Sequence, residues 1–452
     1  MDVHGSVIKY VTYPLWLMKN NKYRVLSYLK EYESKQYDAI SKIREEQLLL
    51  LKKMVFHAYD TCSFYRKRLD QHGIKPKDIH DFTDYLKIPM LTKHDIQENL
   101  QALTSTKYAP EELVANRTGG STGSPLRYYH DRERTLTLQA TAMLHFRWAG
   151  LEIGDKMGII WGNRRDMSTA NSIKEKIRDY FTVRNKILDS SSITEESLST
   201  FAEELRKFKP KVIQAYANSM YLFAEYCRQM NIRDIRPYSI VTSAEVLHPH
   251  ERKLIEEVFE CRVFDFYGCR EVSTIASECE KHTGLHLNAS TLYVEFVNDA
   301  GQLVENGCQG NIVITDLLNY GMPFIRYKIE DIGALTNTTC SCGRGMPLME
   351  MIAGRTTDFI KTPDGRKVSG SALTIYLIAA VPGIRQAQIV QDEVDHLIFN
   401  VATGQEFQTS GLGILKEKVD ELFGNSMRYD IQYVDNIPKE SSGKYRFSIS
   451  KI

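Results

Sequence analysis

The chain has 452 residues, of which 42% are hydrophobic and 25% are charged, and its formal net charge is +1. These values are typical of a soluble globular protein of two or three domains, and they exclude the strongly basic character that nucleic-acid partners require. The sequence nowhere holds eighteen consecutive apolar residues, so no transmembrane segment is predicted. Its eight cysteines form no regular disulfide framework, which favours a reducing compartment and a cytoplasmic protein.

The N-terminal part, to about residue 80, is expected to be helical. The first segment, MDVHGSVIKYVTYPLWLM, has no small-residue cleavage site and is not interpreted as a signal peptide. We expect its apolar face to pack on the body of the protein, and peripheral membrane contact is the less favoured alternative. Apolar residues at three-to-four spacing continue in KQYDAISKIREEQLLLLKKMVFHAYD. Further on, Thr92 and Asp95 predict a capped helix start.

The stretch TGGSTGSP, residues 118–125, combines a glycine-rich backbone with hydroxyl side chains just before a predicted helix. Glycine lets backbone N–H groups wrap closely around an anion, and a helix that starts nearby adds its positive dipole end. The stretch is therefore suited to holding a polyphosphate. A flexible surface turn is the alternative interpretation, and the Gly-Lys-Ser/Thr ending of a Walker loop is missing.

Strand and helix patterns alternate over more than 200 residues of the sequence, which predicts a layered α/β body. Strands are expected in GDKMGIIWG, PKVIQAYA, RPYSIVTSAEV, CRVFDFYG, LYVEFVN and GNIVITDL. After Gly354 the pattern changes to a βαββαβ-like unit of about 100 residues, with a helix near LGILKEKVDELFG. We therefore expect a large α/β domain at 1–355 and a small α+β domain at 356–452.

Five segments resemble, in order, the motifs of the adenylate-forming (acyl-CoA synthetase-like) superfamily. TGGSTGSP is similar to its phosphate loop, and the others are FYGCRE at 266–271, RYKIED at 326–331, GRTTDFIK at 354–361 and PKESSGK at 438–444. The forms TGGSTG, YGCRE and CSCGR most resemble the phenylacetate–CoA ligase-like branch, and within it the capsular polysaccharide biosynthesis proteins. The resemblance spans nearly the whole chain. It implies a large N-terminal AMP-binding domain and a small, mobile C-terminal domain.

The resemblance also implies an adenylate-forming ligase. Such an enzyme uses ATP and Mg²⁺ to turn a small carboxylic acid into an acyl-adenylate, releases pyrophosphate, and transfers the acyl group to CoA or another acceptor. The acid pocket is expected to include Trp161, Tyr216 and residues near Ser243. Two alternatives stay open: a non-catalytic nucleotide-binding or scaffold relative, and an amide ligase that uses an amine without CoA. A role in polysaccharide biosynthesis and the choice between monomer and homodimer are open as well.

By the same resemblance, the motif residues have separate tasks. Lys444 would balance the negative charge of the α-phosphate during adenylation, and Glu271 would bind Mg²⁺. Arg270, which stands where most members have Thr, is counted with them as a catalytic candidate. Asp331 would accept hydrogen bonds from the ribose hydroxyls, and Arg355 would assist on the ribose–phosphate side. The other nucleotide-binding candidates are Thr118, Gly119, Gly120, Ser121, Thr122, Gly123, Ser243, Ala244, Glu245, Tyr267 and Gly268.

Two positions depart from the superfamily pattern. Ser124 stands where many relatives have Lys, so one positive charge is missing from the phosphate loop, and Arg117 and Arg127 are the candidate substitutes. Thr357 occupies the usual acidic position of the hinge about which the small domain rotates between the two half-reactions. Rotation is still expected, but its details are not defined by this sequence.

Four residues between positions 279 and 342 are candidates for a structural zinc site. Cys279 and His286 are separated by six residues, and Cys340 and Cys342 form a tight Cys-Ser-Cys turn. A Cys/His pair and a close Cys pair are able to complete a tetrahedral site. His282 competes with His286, which we favour because it runs into a predicted strand. Buried thiols beside a surface histidine are the alternative interpretation.

Overall fold

The computed structural model describes the chain except for residues 1, 118–125, 162–172, 190–194, 356–358, 364–366, 370–383, 405–406, 408–412, 414–415, 418, 421–426 and 438–447. The chain divides into two compact units. The first comprises residues 1–329 and 334–350, and the second comprises residues 330–333 and 351–452. None of the described helices is long and apolar enough to cross a membrane.

The N-terminal part is a run of helices. They are α1 (Val3–Val7), a π-helical segment (Ile8–Thr12), α2 (Tyr13–Lys19), α3 (Arg24–Lys35), α4 (Ile40–Thr61) and α5 (Ser63–Gln71). Ile8, Tyr13 and Leu17 are buried and pack together with Met143 and Ile153. One face of the first segment therefore packs on the body of the protein, as expected from the sequence.

Shorter elements connect these helices to the main sheet. They are 3₁₀ turns at Pro76–Asp78 and Pro110–Glu112, α6 (Phe82–Tyr85), α7 (Lys93–Glu98), α8 (Leu100–Leu103), the strands β1 (Leu113–Arg117) and β2 (Arg127–Asp131), and α9 (Arg132–Trp148). The predicted capping box at α7 is present, because Asp95 N donates to Thr92 Oγ1 and Thr92 N donates to Asp95 Oδ2. β1 and β2 form an antiparallel hairpin, and Asp131 caps α9 by accepting from Arg134 N.

An eleven-stranded sheet is the largest element of the fold. Its first strands are β3 (Met157–Trp161), β4 (Asn185–Asp189), β5 (Val212–Tyr216), β6 (Ser239–Ser243) and β7 (Arg262–Cys269), and its later ones are β8 (Ser273–Glu278), β9 (Leu285–Leu287), β10 (Leu292–Val297), β11 (Gly310–Asp316), β12 (Tyr327–Leu335) and β13 (Leu348–Arg355). The helices that alternate with the first strands are α10 (Ile173–Thr182), α11 (Glu195–Phe208), α12 (Ala217–Gln229) and α13 (Pro249–Phe259). The strand order is β10-β11-β12-β13-β9-β8-β7-β6-β5-β3-β4.

The first five strands of this sheet are parallel. Because β4 lies on one side of β3 and β5 on the other, the strand order reverses beside β3. In open α/β sheets, ligands bind at the carboxyl ends of the strands next to such a reversal. The predicted α/β body is confirmed, and each of the six predicted strand segments contains an observed strand. Apolar side chains from β3, β5, β6 and β7 and from α11, α12 and α13 form one buried cluster.

The second unit contains a four-stranded sheet with the order β18-β17-β16-β19. Its strands are β16 (Ile384–Glu393), β17 (His396–Thr403), β18 (Arg428–Tyr433) and β19 (Ser448–Ser450), and β14 (Phe359–Lys361) and β15 (Lys367–Ser369) form a separate pair. Its buried core includes Ile389, Leu397, Phe399 and Val401. Most of the helix predicted near LGILKEKVDELFG lies outside the described residues.

Candidate active site and metal centre

The hairpin of β1 and β2 lies against the YGCRE motif. The Tyr128 hydroxyl donates to the Arg270 carbonyl oxygen at 2.7 Å, and His130 Nε2 donates to the Glu271 carbonyl oxygen at 2.7 Å. Tyr128 and His130 are both buried on β2. Two neighbouring peptide groups of the motif are thus fixed by side chains that follow the predicted phosphate loop directly in sequence.

Three arginines lie around the ends of that loop. The predicted phosphate-loop residues, 118–125, lie outside the described residues, but the Cα atoms of Arg117 and Arg127 pair across the end of the hairpin on either side of them. Arg270 Nη1 lies 3.3 Å from the Arg117 carbonyl oxygen. The two candidates for the charge missing at Ser124 are therefore next to each other at the base of the loop, with Arg270 beside them.

The Glu271 carboxylate is buried without a cation. Its side chain accepts a hydrogen bond from the Tyr327 hydroxyl at 3.2 Å, and the residue is only 8% exposed. Among the described residues, no Lys, Arg or His nitrogen lies within 4 Å of its carboxylate oxygens. Burying an ionised carboxylate is costly unless a cation or several donors compensate it. Glu271 is therefore a buried carboxylate whose charge a bound metal ion would compensate.

The segment that resembles the adenine-binding motif follows β6. Ser243 ends that strand, and Ala244 has a positive φ of 70°, which is uncommon for a residue with a side chain. Glu245 Oε2 accepts a hydrogen bond from Asn218 N at 3.0 Å, so this carboxylate satisfies a free amide at the start of α12. This contact holds the segment at the carboxyl end of the parallel strands.

Tyr267 and Gly268 lie near the end of β7, where the pairing with β8 shifts register. A Cβ atom on Gly268 would lie 2.2 Å from the Ser273 carbonyl oxygen. Glycine is needed at this position because the backbone of the next strand approaches too closely for any side chain. Tyr267 is half-buried.

The other motif residues are placed as follows. Asp331 is a half-buried residue of β12, and Arg355 is the last residue of β13, where only the backbone is described. Lys444 and the hinge at 356–358 lie outside the described residues. Arg326, the first residue of RYKIED, is buried and pairs with Glu295, with 2.8 Å between Arg326 Nη2 and Glu295 Oε1. This arginine has a structural role, which its place in the motif did not reveal.

Two aromatic residues mark the strand ends beside the reversal of strand order. Trp161 ends β3 and Tyr216 ends β5, and their ring centroids are 4.2 Å apart. Tyr216 pairs in register with Ser243 of β6. The three residues expected to line the acid pocket are therefore on neighbouring strands at one edge of the sheet.

The structure brings together the four candidate zinc ligands. One ligand atom from each of Cys279, His286, Cys340 and Cys342 lies within 4.8 Å of the others. Cys279 Sγ is 3.6 Å from Cys340 Sγ, and Cys342 Sγ is 3.3 Å from His286 Nε2. Zinc–sulfur bonds of about 2.3 Å and zinc–nitrogen bonds of about 2.0 Å in a tetrahedron require separations of roughly 3.5 to 3.8 Å between ligand atoms. The donor set and its spacing fit a zinc ion.

The groups around these four residues also suit a metal. His286 Nδ1 lies 3.2 Å from the Met346 carbonyl oxygen, to which it donates, so Nε2 is left as the ligand atom. Lys281 N and Arg344 N each donate to a cysteine sulfur, Cys279 Sγ and Cys342 Sγ respectively. Burial raises the pKa of the Cys279 thiol to about 12, so a cation is needed to keep its thiolate in place near neutral pH.

The competing ligand, His282, has a different partner. Its Nδ1 lies 3.2 Å from Glu278 Oε2, and Arg252 also binds that carboxylate through Nη2 at 2.8 Å. His286, which we favoured over His282, is the histidine that lies with the three cysteines. The contacts made by Tyr128, His130 and Tyr327 were not found from the sequence, because they join segments that are far apart in the chain.

Comparison with known proteins agrees with the motif resemblance. Residues 360–451 match the family described as the CapK C-terminal domain. Protein CapK of Staphylococcus aureus is 25% identical over 441 residues, which cover 94% of both chains. The phenylacetate-coenzyme A ligase of Thermus thermophilus is 24% identical over 414 residues, covering 88% of this chain and 89% of the relative. The Escherichia coli ligase of the same name is 27% identical over 330 residues, covering 71% and 73%.

A solved structure shows the same fold. The crystal structure of 2-hydroxyisobutyryl-CoA ligase in complex with 2-HIB-AMP superposes with a TM-score of 0.74 at 18% identity, covering 92% of this chain and 91% of that one. The fold is that of this ligase, and the relatives support the predicted ligase enzyme. The chain is a homologue of CapK and of the phenylacetate–CoA ligases.

Proposed function

We propose that the protein activates a carboxylic acid with ATP and Mg²⁺, forming an acyl-adenylate and pyrophosphate, and then transfers the acyl group to CoA. The observation that carries this proposal is the contact between β2 and the peptide groups of Arg270 and Glu271. It places a buried carboxylate without a cationic partner beside the strand that leads out of the phosphate loop. A nucleotide triphosphate with a bound metal ion is the ligand that both features suit.

In this proposal the charges on the triphosphate are balanced from two sides. Glu271 holds Mg²⁺, which commonly binds one or two protein carboxylates together with substrate phosphates. The loop at 118–125 binds the leaving phosphates, and Arg117, Arg127 and Arg270 lie at its base in place of the lysine that many relatives have. The Tyr327 hydroxyl orients Glu271, since it donates to the carboxylate directly.

The remaining roles are assigned by motif position. Ser243, Ala244, Glu245, Tyr267 and Gly268 form the adenine side of the site. Asp331 and Arg355 bind the ribose, and Lys444 supplies a positive charge to the α-phosphate as the adenylate forms. The small domain, which carries Lys444, turns about the hinge at 356–358 between the two half-reactions. These roles are proposals for this chain, supported by the order and spacing of the motifs.

We propose that the cluster of Cys279, His286, Cys340 and Cys342 holds zinc in a structural role. Four protein ligands leave no coordination position for substrate, which is the pattern of a structural site. The ligands lie at the end of β8, on β9, and in the turn between β12 and β13, so the ion would tie these segments of the sheet together. A zinc content near one equivalent in protein purified without chelator is the expected result.

The match to CapK, which covers 94% of both chains, supports a second candidate function with a different acyl acceptor. In this alternative the acyl group passes to an amine or a sugar of a polysaccharide precursor. The chemistry up to the adenylate is the same, because it depends on the residues around Glu271. Only the acceptor in the second half-reaction differs.

The test is acid-dependent exchange of labelled pyrophosphate into ATP, measured with a panel of aryl, aliphatic, hydroxy and sugar acids. Exchange with one class of acid supports adenylation, and the acceptor is then found by adding CoA or amines to the isolated adenylate. The Glu271→Gln variant serves as the control, since it keeps the shape of the side chain and removes its charge. ATP binding without exchange for any acid would favour the non-catalytic relative. Release of ADP or phosphate would point to a different nucleotide enzyme.

A further inference from the structure

The N-terminal helices carry a second apolar face that the fold leaves exposed. Opposite the buried face, six large side chains point to solvent on α1, α2 and the π-helical segment between them: Val3, Val7, Tyr10, Val11, Leu15 and Met18. They recur at intervals of three and four residues, so they lie along one side of the helical run. Val3 is 83% exposed and Tyr10 is 71% exposed.

Helix α10 extends this surface. Its residues Ile177, Tyr180 and Phe181 are exposed as well. The helix is held against the N-terminal segment, because the ring of His4 stacks on Tyr180 at 4.5 Å and the Thr12 hydroxyl donates to the Phe181 carbonyl oxygen. The nine residues form what we call the N-terminal apolar patch. Large contiguous patches of this kind mark sites of interaction with a membrane or a protein.

The charges around the patch are mainly basic, with three basic and two acidic residues on α10. The sequence from residue 3 to residue 30 contains five Lys or Arg residues and no Asp or Glu. Lys19 and Lys22 have no carboxylate within 4 Å in the described part of the chain, and Lys22 Nζ lies 5.6 Å from the centre of the Trp16 ring. Nearby acids are paired with bases: Asp2 with Arg184, Glu152 with Lys9, and Asp179 of α10 with Arg178.

We propose that the N-terminal apolar patch docks the protein onto an anionic phospholipid surface. An apolar helix face with aromatic residues and flanking lysines is the pattern of a helix that lies in the membrane interface. The alternative occupant, a second copy of this chain, is disfavoured by charge. A two-fold contact through the patch would bring two basic segments without acids together, whereas anionic lipids attract both.

The experiment is flotation of the full-length protein with vesicles of phosphatidylcholine, alone or with about one third phosphatidylglycerol. We expect binding only to the anionic vesicles, and weaker binding when the ionic strength is raised. The double variant Lys19→Gln/Lys22→Gln should bind about 30-fold more weakly, because each lysine near such a surface contributes about one factor of five.

The apolar contribution is tested with Val11→Glu/Leu15→Glu. The two glutamates would not enter the lipid interface, so the lost apolar burial should weaken vesicle binding at least roughly tenfold. The matched control is Leu303→Glu/Val394→Glu, which adds the same charge elsewhere. The parent residues are about equally exposed: 51% for Leu303 and 48% for Val394, compared with 50% for Val11 and 58% for Leu15. The control variant should bind like the parent.

Three outcomes would overturn the proposal. One is the absence of binding to either vesicle, and another is equal binding by the Val11→Glu/Leu15→Glu variant and its control. The third is a concentration-dependent dimer, seen by light scattering without lipid, that the Val11→Glu/Leu15→Glu variant abolishes, since the patch would then be a contact between copies. Acid activation by the variants, measured in the absence of vesicles, shows whether they fold.

Discussion

Two candidate metal sites of this chain differ in how complete they are. The cysteine and histidine cluster has four protein ligand atoms within 4.8 Å of one another. At Glu271 the protein offers one buried carboxylate, held by the Tyr327 hydroxyl. A complete set of protein ligands leaves nothing for a substrate to add, while a single carboxylate leaves most of the coordination to phosphates and water. The first arrangement suits an ion that stabilises the fold, and the second suits an ion that would arrive with a substrate.

The same contrast separates the buried acids. Glu295 is paired with Arg326, and Asp316 is paired with Arg134 at 2.8 Å, so both are neutralised inside the protein. Glu271 has no such partner among the described residues. A buried ion pair that is already complete serves the structure, whereas a buried carboxylate without a cation calls for one from outside. The exposure of a carboxylate alone would not have distinguished the two cases.

The largest expected effect is on the zinc cluster. Cys340→Ser should lower zinc affinity more than about 100-fold, since it removes a direct ligand and not merely an outer contact. The unfolding midpoint should fall by roughly 4 °C, the shift for about 3 kcal/mol in a unit of about 350 residues with an unfolding entropy of about 2.1 cal/mol/K per residue. Zinc content is measured by elemental analysis and stability by scanning calorimetry. Cys308→Ser, at an exposed free cysteine, is the control. Unchanged zinc content in Cys340→Ser would remove this residue from the ligand set.

The pH dependence of zinc binding sharpens that result. Because the pKa of Cys279 is raised to about 12, its thiol is protonated near neutral pH in the metal-free protein and must lose a proton when zinc binds. Zinc affinity should therefore rise with pH, by about tenfold per unit for each proton displaced. A chelator competition series at several pH values measures this slope. A flat profile would mean that the thiolates are already formed without metal.

Next in size is the effect of Lys444→Ala on adenylation. We expect the rate of acid-dependent pyrophosphate exchange to fall at least about 100-fold, the lower range for loss of one electrostatic stabiliser. ATP affinity should change little, because the charge is needed chiefly in the transition state. Lys451→Ala, an exposed lysine near the same end of the chain, is the control. Exchange at the parent rate in Lys444→Ala would refute the assignment. Loss of zinc from this variant would mean that the Cys/His cluster and the adenylation site are not independent.

A smaller effect is expected for Glu271→Gln on the metal requirement. The Mg²⁺ concentration for half-maximal activity should rise about tenfold or more, because a neutral amide binds a hard cation more weakly than a carboxylate. Zinc content and unfolding temperature should stay at the parent values. Glu305→Gln, at an exposed acid, is the comparison. If the Mg²⁺ concentration for half-maximal activity is the same in Glu271→Gln and the parent, Glu271 is not a Mg²⁺ ligand.

The smallest effect is expected for Tyr327→Phe. The variant removes one hydrogen bond to the Glu271 carboxylate, and we expect kcat to fall roughly tenfold, the lower range for a hydrogen bond to a charged group. The half-saturating Mg²⁺ concentration should rise in the same variant, which a purely structural role would not produce. Tyr128→Phe removes the hydrogen bond to the Arg270 carbonyl oxygen and should leave the Mg²⁺ dependence unchanged. A shift of equal size in both variants would contradict the positioning role of Tyr327.

The α/β body could be predicted because its central strands are short apolar runs between amphipathic helices. β5 and β6 are buried on both faces, and β3 and β7 are buried or half-buried over most of their length. Such strands stand out in a sequence. β4 was not predicted, because it lies at the edge of the sheet and Ile187 in it is exposed. β8, in STIASE, has too many small residues to show a strand pattern.

The candidate site was predictable only as separate motifs. The motifs name Glu271, Tyr267 and Gly268 by position, and their roles stay predictions. The sequence named all four residues of the Cys/His cluster that the structure brings together. What holds Glu271 in place was not visible, since Tyr128, His130 and Tyr327 reach it from other parts of the chain. The ion pair of Arg326 with Glu295 was likewise not visible, although Arg326 lies within a motif to which a role was assigned only at Asp331. Contacts between distant segments depend on the sheet topology, which local patterns do not encode.

The position of Tyr327 also matters for how the protein is made. The groups that fix Glu271 lie on β2 and β12, and His130 and Tyr327 are about 200 residues apart in the chain. At roughly 5 to 20 residues per second, a ribosome needs about 10 to 40 seconds to synthesise that span. Until residue 327 has emerged, the Glu271 carboxylate lacks its hydroxyl partner. A nascent chain released before that point would carry Glu271 without the hydroxyl group that holds its carboxylate.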